Sequence, residues 1–240
     1  MDHKVVGNTS FKIADRGGGV RFRTADEAPM NQALRWVDSD VTKRAVDIIG
    51  ASCILLFVMP VFLLIVAVIA LAGDGPIFFA HQRVGRNGVA FRCLKFRTMR
   101  TDADYVLARH LAECPAARRE WAQTRKLRND PRVLAIGRLL RRSSLDELPQ
   151  LINVLRGEMS LVGPRPIVDD EAPNYGVDFA YYLVLRPGIT GLWQISGRND
   201  TTYAERVAFD VRYVRERSLI GDVGILLRTI VVVVNGRGVH

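Results

Sequence analysis

The chain has 240 residues, 48% hydrophobic and 25% charged, and a formal net charge of +9. That length suits one medium domain with an addition and is enough to bury a core. The apolar and charged residues must be segregated along it, and the positive balance points to an anionic partner: nucleic acid, a membrane surface or a phosphorylated molecule.

Cys53, Cys93 and Cys114 are scattered and include no C-x-x-C, so they imply neither a disulfide framework nor a zinc site and fit a reducing compartment. His3, His81, His110 and His240 are isolated, which gives little reason to read any of them as a metal ligand or general base.

Residues 1–35 are polar, carry Gly17-Gly18-Gly19 and lack periodicity, the pattern of a flexible tail. Residues 36–47 place Trp36, Val37, Val41, Ala45 and Val46 at roughly helical spacing around Lys43 and Arg44, which suggests a short interfacial lead-in. Ile48 to Ala72 follows without a charge. As a helix it extends ~37 Å, enough to cross a hydrocarbon core of ~30 Å. It is too long and begins too late for a signal peptide, despite the cleavage-like Ala70-Leu71-Ala72.

Basic residues flank both ends of this segment: Lys43 and Arg44 before it, and Arg83, Arg86, Arg92, Lys95, Arg97 and Arg100 after it. The positive-inside rule would hold both ends on the cytoplasmic side, which a straight span cannot satisfy. Pro60, in the middle of the run, would break or kink a helix, so a re-entrant form and a kinked span are the two readings.

PIFFAHQRVGRNGVAFRCLKFRTM places two strand-like runs around Asn87-Gly88 and predicts a hairpin. Its interleaved basic and aromatic residues could suit nucleic acid, but its position directly after a membrane segment makes a phosphate or headgroup the nearer anion. Residues 102–128 read as solvated helix interrupted at Pro115, and Leu145 to Arg156 as a helix stopped at Gly157. Residues 200–217 read as a further amphipathic helix. Leu219 to Val234, apolar but short and carrying Asp222 and Arg228, suits an interfacial or packed element.

Asp146 and Glu147 stand among arginines in RRSSLDELPQLINVLRGEMSLVGPRP. Ser144 to Glu147 matches a capping box, so an ordinary helix start is one reading. Pro149 argues against it, because a helix capped by Ser144 would need the N–H that Pro149 lacks. A helix beginning at Asp146 instead puts this acid beside free backbone N–H groups and close to Arg138, Arg141 and Arg142, an arrangement suited to phosphate. An ionised aspartate there can serve as nucleophile or magnesium ligand. Arg165, held between Pro164 and Pro166, suits bidentate phosphate or nucleotide recognition. From the residues alone, this is phosphate chemistry at a membrane surface.

From about Lys43 to His240 the chain resembles the bacterial sugar transferases, monotopic polyprenyl-phosphate hexose-1-phosphate transferases that initiate exopolysaccharide and related glycan synthesis. The resemblance is carried in order by the basic lead into a proline-broken apolar helix, PIFFAHQRVGRNG, KFRTM, SLDELPQLINVLRGEMSLVGPRP, RPGITGLWQISGRND and the D-x-x-Y-V of Asp210 to Val214. It implies an α/β, mostly helical membrane-associated domain with a small β-hairpin, on an N-terminal re-entrant helix broken at Pro60. Residues 1–35 would be the tail, 36–73 the membrane element and 74–240 the cytoplasmic catalytic domain. Where many members of the family have Ser-Pro this chain has Met59-Pro60, and methionine cannot donate a hydrogen bond to a carbonyl freed by the kink.

The implied activity is phosphoglycosyl transfer: a sugar-1-phosphate moves from a UDP-hexose to polyprenyl (undecaprenyl) phosphate, with release of UMP and a requirement for Mg²⁺. Asp146 would be nucleophile and Mg²⁺ ligand, assisted by Glu147. Lys95, Arg141 and Arg142 would bind phosphate. Arg165, with Pro164 and Pro166, would bind the nucleotide, and Arg198, Asp210 and Asp222 would support the site. The partners would be these two substrates and the bacterial inner membrane, with the catalytic domain on its cytoplasmic side and no nucleic acid; a homo-oligomer is compatible with the reading. The main rival is a non-catalytic, membrane-anchored basic protein that binds anionic lipids or partners.

Overall fold

The computed structural model describes residues 40–72, 75–124, 127–197 and 201–234. The expected tail, the first residues of the lead-in and Arg198 lie outside the described residues.

Helix α1 (Asp40–Leu71) takes in both the rest of the lead-in and most of the apolar run, so the lead-in is not a separate element. The helix continues through Pro60, in contrast to the break that the sequence suggests. Proline removes only its own N–H from the ladder, and the residues on both sides of it, Val58 and Phe62, are packed against the rest of the protein.

One stripe of α1 lies on the folded domain along nearly its whole length. Asp47, Ala51, Phe62, Ile65 and Ile69 are buried, and Leu55 and Val58 are partly covered between them. Their spacing of three and four residues makes a seam ~33 Å long at 1.5 Å per residue. Ala51 belongs to one core cluster with Leu151, Val154 and Leu161, whereas Phe62, Ile65 and Ile69 belong to another with Phe96 and Leu140. The opposite face is apolar and open, with Ile49 64%, Leu56 75% and Phe57 86% exposed. Only 17% of the most apolar stretch of α1 is buried, in contrast to the mostly covered core helix of a soluble protein.

Strands β1 (Phe78–Val84) and β2 (Ala90–Phe96) form an antiparallel hairpin. Asn87 and Gly88 both adopt positive φ in the turn between them, 57° and 75°, as the Asn-Gly signal predicts. Phe78 stacks on Phe96 at 5.6 Å, and Phe62 of α1 reaches Phe96 at 4.9 Å, so the back of the hairpin carries the membrane helix. Phe79, His81 and Arg83 pair with Lys95, Cys93 and Phe91 and share the front face.

Helices α2 (Ala103–Glu113) and α3 (Pro115–Thr124) follow, with Pro115 as the first residue of α3, where its missing N–H costs little. No residue of α2 is buried, in keeping with a solvated helix. Helix α4 (Ala135–Arg142) leads to the acid pair.

The single helix expected over Leu145 to Arg156 is two elements. A 3₁₀ turn covers Leu145–Glu147, and α5 (Gln150–Arg156) begins only after Pro149, its N-cap. The proline sits where no intrahelical N–H is needed, so Asp146 lies one turn before the helix rather than at its mouth. Gly157 ends α5 at φ 85°, with Glu158 N donating to Asn153 O, as expected.

Strand β3 (Ser160–Val162) pairs in parallel with β4 (Gly188–Thr190). A 3₁₀ stretch (Asp169–Asp178) and α6 (Phe179–Val184) connect them, which supplies the α/β part of the expected class. The Gly163-Pro164-Arg165-Pro166 loop leaves β3 here. A Cβ on Gly188 would lie 2.1 Å from Gly163 N, so only glycine permits this approach.

Helices α7 (Leu192–Ser196), α8 (Tyr203–Glu216) and α9 (Leu219–Val234) complete the described chain. Thr202 and Glu205 form a reciprocal capping box at the start of α8. Helix α9 buries Asp222 and Ile225 and exposes Ile220, Val223, Leu227, Ile230 and Val231, so it is packed on one side and apolar on the other.

Candidate active site

The local structure removes the capping explanation for the acid pair. Ser144 is left-handed (φ 56°), and its side chain makes no cap hydrogen bond. Glu147 turns instead to the hairpin, where Lys95 Nζ lies 2.6 Å from its Oε1. Asp146 points inward and is only 8% exposed.

Burial pushes the Asp146 carboxyl up to about 6; the Glu147 charge adds to the rise, and Lys95 and Arg141 oppose it. At neutral pH it remains largely ionised, as the sequence suggests, but as a poorly solvated anion. Such a group gains from any cation or phosphorus centre brought to it. Arg141 is held toward the site by a 2.9 Å bond from its Nε to Thr98 Oγ1. Arg142 is exposed next to it at the end of α4 and is not among the charges acting on Asp146.

A second cluster forms around the loop after β3. Pro164 O accepts from Gly188 N at 2.8 Å, and Pro166 O accepts from Arg83 Nη1 at 3.4 Å, so both prolines are anchored through their carbonyls. Arg165 carries its guanidinium 5.4 Å from the Trp193 ring centroid, a cation–π contact. Its backbone N–H donates to Asp210.

Asp210 also accepts a 2.7 Å bond from the Tyr175 hydroxyl. Burial pushes its carboxyl up to about 6, against the Tyr175 hydrogen bond and the charges of Arg206 and Arg165. Arg206 lies 5.1 Å from Trp193 and 5.0 Å from Tyr203, with its Nη1 3.5 Å from Glu171. Asp210 therefore supports the Arg165 loop from behind.

The two clusters meet along the front of the hairpin. The Cys93 thiol, raised to about 11 chiefly by burial, is influenced by Lys95 and Glu147 and also by Arg83 and Arg165. One strand pair thus spans the distance from the acid pair to Arg165.

Asp222 does not join this site. It pairs with Lys43 at 2.8 Å and accepts from Tyr213 at 2.9 Å. Lys43 also pairs with Asp47 at 2.9 Å, and Asp47 accepts from Ser160 Oγ and Leu161 N. This network fastens the start of α1 and α9 to β3. The reason is location: Asp222 lies on the inward side of α9, facing α1. Arg198 is outside the described residues, and no contact is assigned to it.

Sequence reasoning missed Arg83, Trp193, Arg206 and Tyr175 as parts of the second cluster. Trp193 lies in the block RPGITGLWQISGRND, and Arg83 and Arg206 could have been suspected as arginines in otherwise aromatic or apolar surroundings. Nothing local marks Tyr175 as the partner of a residue 35 positions away.

Among the described residues no group of three or more His, Cys, Asp or Glu side chains could alone hold a metal ion. The two adjacent carboxylates nevertheless fit magnesium, which binds through one or two carboxylates together with substrate phosphates and water. The raised Asp146 carboxyl is the kind of group that a cation would relieve.

Residues 38–236 match the family model described as bacterial sugar transferase. The chain is 52% identical over 198 residues to the exopolysaccharide production protein ExoY of Rhizobium meliloti (strain 1021), a match covering 82% of this chain and 88% of that protein. It is 50% identical over 198 residues to the undecaprenyl-phosphate galactose phosphotransferase of Salmonella typhimurium, covering 82% of this chain and 41% of the relative. It is 40% identical over 197 residues to the UDP-glucose:undecaprenyl-phosphate glucose-1-phosphate transferase of Escherichia coli (strain K12), covering 78% and 39%.

Proposed function

The chain belongs to the bacterial sugar transferase family, and on that premise we propose that it moves a hexose-1-phosphate from a UDP-hexose to polyprenyl phosphate and releases UMP. It is a phosphoglycosyl transferase, and the acceptor reading follows the names of its relatives. The observation that carries the mechanism is the buried Asp146 next to a Glu147 held by Lys95, joined along one hairpin face to Arg165.

An Asp146 oxygen attacks the sugar-bearing phosphorus. The bond from that phosphorus to the bridging oxygen breaks, and UMP leaves with the oxygen. A phosphate oxygen of the polyprenyl phosphate then attacks the same phosphorus and displaces the aspartate. The covalent route lets the two polyanionic substrates react in turn rather than together. Lys95 and Arg141 offset phosphate charge and keep the acids in place, which is the main task in phosphoryl transfer. Arg142, at the exposed end of α4, is an outer phosphate contact. Arg165 grips the nucleotide, with Pro164 and Pro166 fixing its loop and Asp210 bracing the loop from behind. Glu147 handles protons or helps to place magnesium. Asp146, with Glu147, would hold the magnesium ion, which supplies further charge neutralisation on the phosphates when bound.

The disposition of α1 supports a monotopic enzyme. A straight span would carry half of the helix away from a domain kept on one side of the membrane, yet its seam runs along that domain from Asp47 to Ile69. A helix that stays on the cytoplasmic side of the inner membrane, lying along the domain, keeps the seam together, exposes its apolar outer face to lipid and sets the site at the interface where a lipid acceptor meets a cytosolic donor.

The test is nucleotide release. Protein in nanodiscs is incubated with Mg²⁺, undecaprenyl phosphate and a panel of UDP-sugars, and UMP and UDP are assayed separately. Lipid-dependent UMP from one sugar is the expected result. UDP instead of UMP would make the protein an ordinary glycosyltransferase, and no nucleotide release from folded protein would favour a non-catalytic lipid-binding role.

A further inference from the structure

We propose that His81 contacts the sugar of the bound donor and helps to set which hexose is accepted. This inference rests on reading the β1 side of this hairpin face as one wall of the donor site. It assigns a role to a residue that the mechanism above leaves unused.

The hairpin register carries the argument. His81 is paired with Cys93, with Phe79↔Lys95 two residues to one side and Arg83↔Phe91 two residues to the other. All six side chains share the front face. Lys95 is fixed to Glu147 of the acid pair. Arg83 is fixed to the carbonyl of Pro166, next to Arg165, and lies within electrostatic reach of that arginine. Same-face neighbours along a strand are ~7 Å apart, so the imidazole is interposed between the anchor of the phosphoryl-transfer acids and the anchor of the nucleotide arginine. On this face Cys93 and Phe91 of β2 are buried in the core cluster of Leu151 and Val154, whereas His81 of β1 is exposed and open to a ligand.

Its chemistry differs from that of its neighbours. Partial burial, Arg83 and Lys95 all lower its pKa, against the smaller pull of Glu171, so the ring is neutral at physiological pH. A neutral imidazole offers one donor and one acceptor, the complement of a hydroxyl group. The cations on either side are the better phosphate ligands. Hexoses that are epimers differ in the direction of one hydroxyl, and a site that hydrogen-bonds that group can separate them.

The test uses the full chain in nanodiscs, with UMP release measured for UDP-glucose and UDP-galactose in the wild type, H81A and H81Q, and with UMP binding measured by calorimetry. H81A is expected to raise KM for the better donor about tenfold and to bring the two kcat/KM values together, while Kd for UMP stays within about twofold. H81Q, whose amide still offers both donor and acceptor, is expected to retain part of the selectivity. Unchanged KM and selectivity in H81A would overturn the assignment. So would a parallel loss of UMP affinity, which would place His81 on the nucleotide or in the fold, or a wild type that uses both sugars equally. A wild type that releases UMP from no sugar would instead overturn the functional reading, and this inference with it.

Discussion

Lys95 Nζ lies 2.6 Å from Glu147 Oε1, across 52 positions of sequence. This bond ties the β-hairpin to the acid pair and orients Glu147 away from a helix-capping role. Replacing Lys95 with alanine is expected to lower kcat on the order of 100-fold, the typical effect of losing one group that stabilises developing charge. Arginine at this position should give an intermediate rate, because it restores charge without the point geometry of an ammonium. UMP-release kinetics on folded variants check both outcomes.

Asp146→Asn should abolish turnover while the protein remains in the membrane fraction, since the seam that holds α1 is made by other residues. Flotation and UMP release measured on the same preparation read the two properties separately. Substantial turnover in this variant would remove Asp146 as the nucleophile.

The same substitution has a stability consequence in metal-free protein. Asp146 has a folded-state pKa raised from 3.8 to about 6, chiefly by burial. The folded state therefore binds the proton more tightly than the unfolded state, and stability from this group falls as pH rises through that window. The full cost, roughly 3 kcal/mol at most, is present above pH 6. Asp146→Asn should melt higher than the wild type at pH 7.5 in the presence of a chelator, and the gap should narrow as pH falls toward 4.

Asp222→Ala should loosen the root of the membrane helix. It leaves Lys43 with Asp47 alone and removes an acceptor from Tyr213. Breaking a buried pair in this way typically costs ~3–5 kcal/mol. Thermal unfolding in detergent should show the loss. A change smaller than 1 kcal/mol would mean that the network contributes little to the attachment of α1.

Single cysteines at Val41 and Leu71, in a protein whose native cysteines are replaced, report topology. Both positions are exposed, at 78% and 87%. In the monotopic arrangement neither is labelled by an impermeant maleimide from outside intact cells, and both become reactive in inverted vesicles. Labelling of one position from each side would establish a true span.

Elements that depend on neighbours within a turn or two were legible in the sequence. The Asn87-Gly88 turn, the helix start at Pro115, the stop at Gly157 and the amphipathic α8 follow local rules of backbone geometry and periodicity. The motif around Asp146 also stood out, yet its helix begins after Pro149 because proline serves as the cap. The continuation of α1 through Pro60 was not legible, because a proline permits either outcome and packing around Phe62 and Ile65 accompanies the one observed. The same holds for Asp222, whose polar character was visible but whose partner, Lys43, lies 179 positions away.

By itself the sequence determined a basic chain with one long apolar helix, a hairpin and an arginine-rich acid pair, because composition, periodicity and turn chemistry act locally. Only the tertiary structure decided that Asp146 is the buried acid and Glu147 the paired one, that Asp210 braces Arg165, and that one seam of α1 stays on the domain. A carboxylate's energy depends on how much water it keeps and which charges face it, and both are set by residues brought together from distant parts of the chain.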